Sequence, residues 1–159
     1  MDRPSQEPAT SLQNLCSGHM GDESLQAWRQ MFHTFLKQQR KIEEMLAPYD
    51  LALSQFEGLA KIAWQPGVIQ QDLVHHLLVT KGNVGALVDR LESAGLVERR
   101  ADPNDRRANR LFLTKAGESL LVELFEKHRT MVREMFRPLS PAQHRTLSSL
   151  LKLIEPPAE

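Results

Sequence analysis

The stretch that decides the fold is DPNDRRANRLFLTKAG, residues 102–117. Asp102-Pro103-Asn104-Asp105 is a turn-forming tetrad, because proline presets one backbone angle and the Asp and Asn side chains can bond their own backbone. Strand-like runs flank it, LVERR at 96–100 and NRLFL at 109–113. The pair predicts a short two-stranded hairpin whose tip carries Arg106 and Arg107. Thr114 then stands where a hydroxyl can cap a helix starting at Lys115.

Upstream of the hairpin, Thr80 caps a helix running from Lys81 to about Ala94, and Gly95 ends it at the position where a C-terminal glycine is expected. A helix over residues 70–77 precedes it. An earlier one over 55–64 is opened by Ser54-Gln55-Phe56-Glu57, read as a capping box, and closed by Pro66-Gly67. On the helix from Lys81, Val84, Leu87, Val88 and Leu91 fall within about 100° and form the buried face. Gly82, Gly85, Ala86, Asp89 and Ser93 lie opposite, flanked by Asn83 and Arg90. Each glycine there costs roughly 1 kcal/mol relative to alanine. Close approach of the backbone to a nucleic-acid groove is one reason to tolerate that; a merely weak surface helix is the plain alternative. Two helices joined by a tight turn, with a basic hairpin behind them, have the layout of a winged helix-turn-helix.

More helix lies at both ends than such a module needs. Leu25, Trp28, Met31, Phe32, Phe35, Leu36, Ile42, Met45 and Leu46 recur at three- and four-residue spacings, predicting an amphipathic helix of about six turns that Pro48 ends. After Thr114 a long helix reaches about Phe136. Ser140-Pro141-Ala142-Gln143 then combines an N-cap, a proline at the first helical position and a glutamine at the third, opening a last helix that ends near Ile154. The expected fold class is therefore mostly α with a small β-hairpin wing. Residues 54–114 form the winged lobe, with dimerisation helices over 22–47 and 115–154. Together they make one domain over 22–154, between a Pro- and Ser-rich tail at 1–21 and a short tail at 155–159. A single lobe cannot cover the apolar stripes of the terminal helices, so a homodimer is expected, with Leu121, Leu124, Phe125, Leu147, Leu150, Leu151 and Ile154 at its interface.

The 159 residues carry 20 basic and 20 acidic side chains. That balance hides a regional split. Residues 1–60 hold five basic against eight acidic, residues 61–117 nine against six, and the remainder six of each. Local field, not net charge, decides where a polyanion docks. The excess gathers in Arg99, Arg100, Arg106, Arg107, Arg110 and Lys115.

The pattern LxxAGLVERRxDPxDRRxxxxxLTxxG, residues 91–117, closely resembles the MarR family of bacterial transcriptional regulators. The resemblance extends over roughly residues 23–154. It implies a dimeric regulator whose two recognition helices face successive major grooves about 34 Å apart, on a pseudo-palindromic operator in double-stranded DNA. Thr80, Lys81, Gly82, Asn83, Ala86 and Arg90 are the expected contacts from the recognition helix; Asn83 suits an adenine edge, Lys81 a guanine edge or a phosphate. At the wing, Asp105 is read as orienting the guanidinium of Arg107, which by the resemblance enters the minor groove. Arg100, Arg106 and Arg110 are read as phosphate contacts. Family members bind small, often aromatic acids, so Trp28, Phe32, Phe35, Phe56 and Trp64 are candidates to line a pocket for an aromatic or phenolic acid effector; plain core is the alternative.

Other chemistries find no footing. His75 and His76 are adjacent and point about 100° apart on a helix, and the lone Cys16 lies in the tail, so neither a metal nor a cofactor is expected. Peroxide-sensing relatives carry their cysteine at a position matching Trp28, some twelve residues beyond Cys16, which favours a plain tail cysteine. There is no Gly-x-Ser-x-Gly elbow, phosphate loop or paired-carboxylate motif, so no enzyme is expected. No apolar run approaches the ~20 residues of a membrane helix, and the N-terminal charges do not resemble a signal peptide, so a cytoplasmic site is expected. The competing reading is a winged protein-interaction module without specific DNA binding; Arg106 and Arg107 argue for DNA.

Overall fold

The computed structural model describes residues 18, 21–76, 81–103, 105 and 108–156, with backbone alone at 74–76 and 81–83. The chain divides into two compact units, Met1–Glu44 and Met45–Glu159. The elements of the described residues are α1 (Glu23–Leu46), a single 3-10 turn (Ala47–Tyr49), α2 (Leu53–Trp64), β1 (Val68–Ile69), α3 (Gln70–His76), α4 (Lys81–Ser93), β2 (Val97–Ala101), β3 (Asn109–Leu113), α5 (Lys115–Phe136) and α6 (Pro141–Ile154).

In the first unit, α1 starts where Asp22 Oδ1 accepts the amides of Ser24 at 2.8 Å and Leu25 at 3.2 Å, satisfying two of the donors that a helix start leaves open. Its apolar stripe is as the spacing predicts. Trp28, Met31, Phe32, Phe35 and Leu36 are all exposed, and the Trp28 and Phe32 rings stack at 5.5 Å.

The second unit is built on an antiparallel three-stranded sheet of order β1-β3-β2. Val68 pairs with Leu111 and Ile69 with Arg110, while Val97 pairs with Leu113, Arg99 with Leu111 and Arg100 with Arg110. The hairpin is as expected; its third strand is not. Two residues are too few to display a period, and β1 is set in place by the Gly67 amide, which donates to the Leu111 carbonyl at 2.8 Å. Strand β2 begins one residue later than expected because the Leu96 amide is spent on the Leu91 carbonyl, closing α4 in a Schellman turn around Gly95 at φ +70°.

Helix α2 is capped differently from the expectation. The serine box at Ser54 and Glu57 does not form. The helix begins at Leu53, and Gln55 Oε1 accepts the Ala52 amide at 2.8 Å instead. Glu57 is left half-buried, and burial pushes its carboxyl above the usual range. At the chain end, the expected box is present: Ser140 Oγ accepts from the Gln143 amide, and Gln143 Oε1 accepts from the Ser140 amide.

One junction explains why the sequence reads A-G-L before β2 and L-T-x-x-G after β3. Thr114 Oγ1 accepts the Gly117 amide at 3.1 Å and donates to the Gly95 carbonyl at 2.6 Å, while the Thr114 amide donates to Leu96. The first turn of α5 is thereby pressed onto the end of α4. A Cβ on Gly117 would lie 2.1 Å from the Leu96 carbonyl oxygen, so only glycine fits.

The core of this unit comprises Leu46, Leu59, Ile62, Leu73, Val84, Val88, Leu91, Val97 and Leu111, each almost fully buried. Helix α5 adds Leu121 and Leu124, 3% and 0% exposed. These two, expected at a dimer interface, are enclosed by the chain's own core. Tyr49 ties the 3-10 turn to α5: its hydroxyl donates to Glu123 and accepts from Lys127, holding Glu123 below the usual carboxylate range. No side chain of α6 is buried; Phe125, Leu147, Leu150, Leu151 and Ile154, all expected at the interface, stand exposed, with Leu153 beside them at 81%.

Candidate nucleic-acid interface

Helix α4 has the two faces that its sequence predicts. Val84, Leu87, Val88 and Leu91 point into the core, and Ala86, Asp89, Arg90 and Ser93 are exposed. Its start at Lys81 follows α3, and the sheet hairpin lies directly after it in the chain. Thr80, Arg106 and Arg107 lie outside the described residues, as do the side chains of Lys81, Gly82 and Asn83.

The pleat sorts the basic residues of the hairpin. Successive strand side chains point to opposite faces, so Glu98, Arg100, Arg110 and Phe112 share one face, and Val97, Arg99 and Leu111 the other. On the first face, the Arg100 guanidinium pairs with Glu98 and lies 4.3 Å from the centre of the Phe112 ring. The carboxylate and the ring limit its rotamers without hiding it, since its side chain is 62% exposed. A guanidinium so held is ready for a phosphate.

Asp102 organises the turn. It is 5% exposed, and its Oδ2 accepts Arg110 Nε at 2.6 Å while Oδ1 accepts the Asp105 amide at 3.3 Å. The backbone closes the loop around it: the Asp102 amide donates to the Ala108 carbonyl, and the Ala108 amide to Asp105, both at 3.0 Å. A buried carboxylate must be hydrogen-bonded, and this one uses both oxygens to fix the base of the wing and aim Arg110. The sequence reading gave an orienting role to Asp105 and overlooked Asp102. The signal available was its place two residues after Arg100, which by strand alternation sets Asp102 on the face of Arg110.

Arg99, one of the basic cluster, faces inward. Its side chain is only 19% exposed, against 40% for Arg110. It shares a face with Val97 and Leu111 and turns toward α4, where it pairs with Asp89 at 2.5 Å and with Glu92. Alternation from Val97 would have revealed this.

The aromatic residues expected at a pocket differ in exposure. Phe56 is 6% exposed, with its ring 5.9 Å from Phe125 and 5.6 Å from His128, so it is core. Trp64, on the same helix, is 86% exposed. Trp28, Phe32 and Phe35 remain as an exposed aromatic row on α1. Among the described residues no helix is long and apolar enough to cross a membrane, and no three His, Cys, Asp or Glu side chains stand together as a metal site would require.

Known proteins share both the fold and its sequence signals. The MarR family profile matches residues 51–108. The multiple antibiotic resistance protein MarR of Escherichia coli (strain K12) is 30% identical over 121 residues, 76% of this chain and 84% of that protein. A mutant E. coli MarR complexed with operator DNA superposes with a TM-score of 0.76 at 29% identity, covering 84% of this chain and 96% of that one. BpsR of Bordetella bronchiseptica, whose DNA binding is regulated by 6-hydroxynicotinic acid, superposes at 0.73 with 22% identity over 84% and 95% of the chains, a likeness of fold. With a winged helix in place and 30% identity across 76% of its length, this chain belongs to the MarR family of transcriptional regulators.

Proposed function

We propose that the chain is a sequence-specific regulator that binds a pseudo-palindromic operator as a homodimer and is released or retained by a small aromatic acid. One observation carries the reading. A recognition helix, α4, exposes Ala86 and Arg90 beside a wing on which Arg100 and Arg110 are held in place by carboxylates yet remain open to solvent. The relative from E. coli complexed with operator DNA supports it. In this reading Thr80, Lys81, Gly82, Asn83, Ala86 and Arg90 enter the major groove, Arg107 oriented by Asp105 enters the minor groove, and Arg100, Arg106 and Arg110 meet phosphates. Base contacts specify and phosphate contacts position.

The exposed stripe of α6 supplies the surface for a second copy. Trp28, Phe32 and Phe35 supply a flat apolar surface on which an aromatic acid could stack. The cytoplasm, where the DNA lies, is the place of action. The test is a fluorescence anisotropy titration of the full chain on the promoter region next to its own gene, against a scrambled duplex at equal salt. Preference for the promoter duplex, with affinity falling steeply as salt rises, is the expected result. Equal binding to both duplexes would remove the sequence-specific reading.

A further inference from the structure

Arg99 stands apart from every other arginine in the hairpin that the structure describes. All three of its guanidinium nitrogens are engaged, and each goes to a different site. Nη2 meets Asp89 at 2.5 Å, Nη1 meets Glu92, and Nε donates to Gln70 Oε1 at 3.3 Å. Asp89 and Glu92 sit on successive turns of α4, Gln70 is the first residue of α3, and Arg99 itself belongs to β2. One side chain thus ties the wing to both helices of the helix-turn-helix. A planar fork can serve three directions at once; an ammonium cannot fix such a geometry.

The position has a further consequence. Asp89 and Glu92 are 68% and 42% exposed on the helix that faces DNA in the reading above. Carboxylates there oppose a polyanion, so a chain that keeps them needs another use for them. Arg99 also pairs across the sheet with Leu111, a fully buried residue, which fixes its stem in the core. An arginine anchored at its stem and saturated at its head is a poor phosphate ligand and a good strut.

Resting on the DNA-binding reading, we propose that Arg99 is a positioning residue: it sets the pitch of α4 against the wing, and so determines how well the protein distinguishes its operator from other DNA, without touching DNA itself. The two carboxylates are the other half of the same strut. Removing either half should therefore cost discrimination, and removing both should cost no more than removing one, because residues acting as a unit are not additive.

The test uses the full chain and a duplex selected by the wild type from a random-sequence pool, with a scrambled duplex as reference. Arg99→Gln should lower the operator-to-scrambled affinity ratio about tenfold, within the range of one specific contact, while the log–log salt slope on the scrambled duplex stays unchanged. Asp89→Asn/Glu92→Gln should lower that ratio similarly although it removes two negative charges, and the triple variant should match either. Arg99→Lys should not restore the ratio. Three results would overturn the proposal: an unchanged ratio in Arg99→Gln, a salt slope reduced by about one, as for a lost phosphate contact, or additive losses in the triple variant. Circular dichroism establishes folding. Should Arg99→Gln not fold, the exposed carboxylate pair carries the test alone: a reduced ratio upholds the strut, and tighter binding to both duplexes, the result of charge removal only, overturns it. A wild type that selects no sequence from the pool overturns the DNA reading, and the strut with it.

Discussion

The winged lobe and the last helix are made from the same materials and treat them oppositely. In residues 53–113, Leu59, Ile62, Leu73, Val88, Leu91 and Leu111 are wholly enclosed. On α6, Leu150, Leu151, Leu153 and Ile154 stand 44% to 81% exposed, although the helix is as well capped as any in the chain. Local signals therefore build both elements, but only the lobe finds its packing partners within one chain. Burying a leucine contributes about 1.5–3 kcal/mol, so leaving four large side chains on one helix in water forgoes several times that. A stripe of this kind marks an interface. In the proposed function the lobe is the part that touches DNA, and the helix is the part that brings a second lobe to it.

Removing residues 140–159 breaks the comparison most completely. The lobe keeps its core, since α6 contributes no buried side chain. The expected outcome is a folded monomer that no longer binds its operator tightly, because the second half-site contributes through effective concentration rather than through new contacts. Sedimentation velocity and an operator titration check both halves of the statement. A full-length chain sedimenting as a monomer at micromolar concentration, or a truncated monomer that binds as tightly as the full chain, contradicts it.

Next in size is Leu111→Ala, aimed at the lobe instead. Leu111 is fully buried at the centre of the sheet, paired with Val68 on one side and Arg99 on the other. Truncation in such a site costs about 2–5 kcal/mol. Urea unfolding should register this, whereas Leu153→Ala, at 81% exposure, should change the unfolding free energy of the lobe by no more than about 0.5 kcal/mol. Equal losses at the two positions would erase the contrast between enclosed and open leucines.

Much of this was legible in the sequence, and what was not has physical reasons. Helix α5 and the caps at Thr114 and Ser140 follow from hydroxyls at the right spacing. The buried face of α4 follows from its period, and the wing from DPND. All the misses but one, the local cap of α2, are tertiary. Strand β1 is two residues long and exists only because Leu111 is there to pair with it. The cap of α2 comes from a glutamine reaching back to Ala52, which displaces a serine box of equal local quality. Phe56, Leu121 and Leu124 lie on apolar stripes, and a stripe does not state whether its cover is the same chain or another. At the wing, the two aspartates flanking Pro103 and Asn104 look alike in sequence; burial of Asp102 separates them.

A third change sharpens the division of labour between lobe and helix. Arg107→Ala should leave dimerisation untouched and weaken operator binding by about 1–3 kcal/mol, the scale of one specific contact. Its place beside Arg106 at the tip of DPNDRRANR motivates the expectation. Anisotropy at fixed salt measures the loss, and wild-type affinity in this variant would remove the arginine from the minor groove.

The smallest expected effect compares two helix caps, one in each region. Ser140 and Thr114 both accept the amide three residues on, at 3.3 Å and 3.1 Å. Replacing an N-cap hydroxyl with alanine costs about 0.5–2 kcal/mol. At Ser140 the lost bond is exposed and local, so the cost should sit near the bottom of that range and be felt in dimer formation, because α6 buries none of its side chains within its own chain. Thr114 does more. Its hydroxyl also donates to the Gly95 carbonyl at 2.6 Å, across the junction where Gly117 already lies against Leu96. Thr114→Ala should therefore cost more than Ser140→Ala, near the top of the range, and should loosen the end of α4 as well as the start of α5. Hydrogen exchange at the amides of Gly95, Leu96 and Gly117 would show that spread directly. If Ser140→Ala and Thr114→Ala cost the same, and exchange quickens only at Gly117, the junction is an ordinary cap and the lobe is no more tightly knit than the helix that follows it.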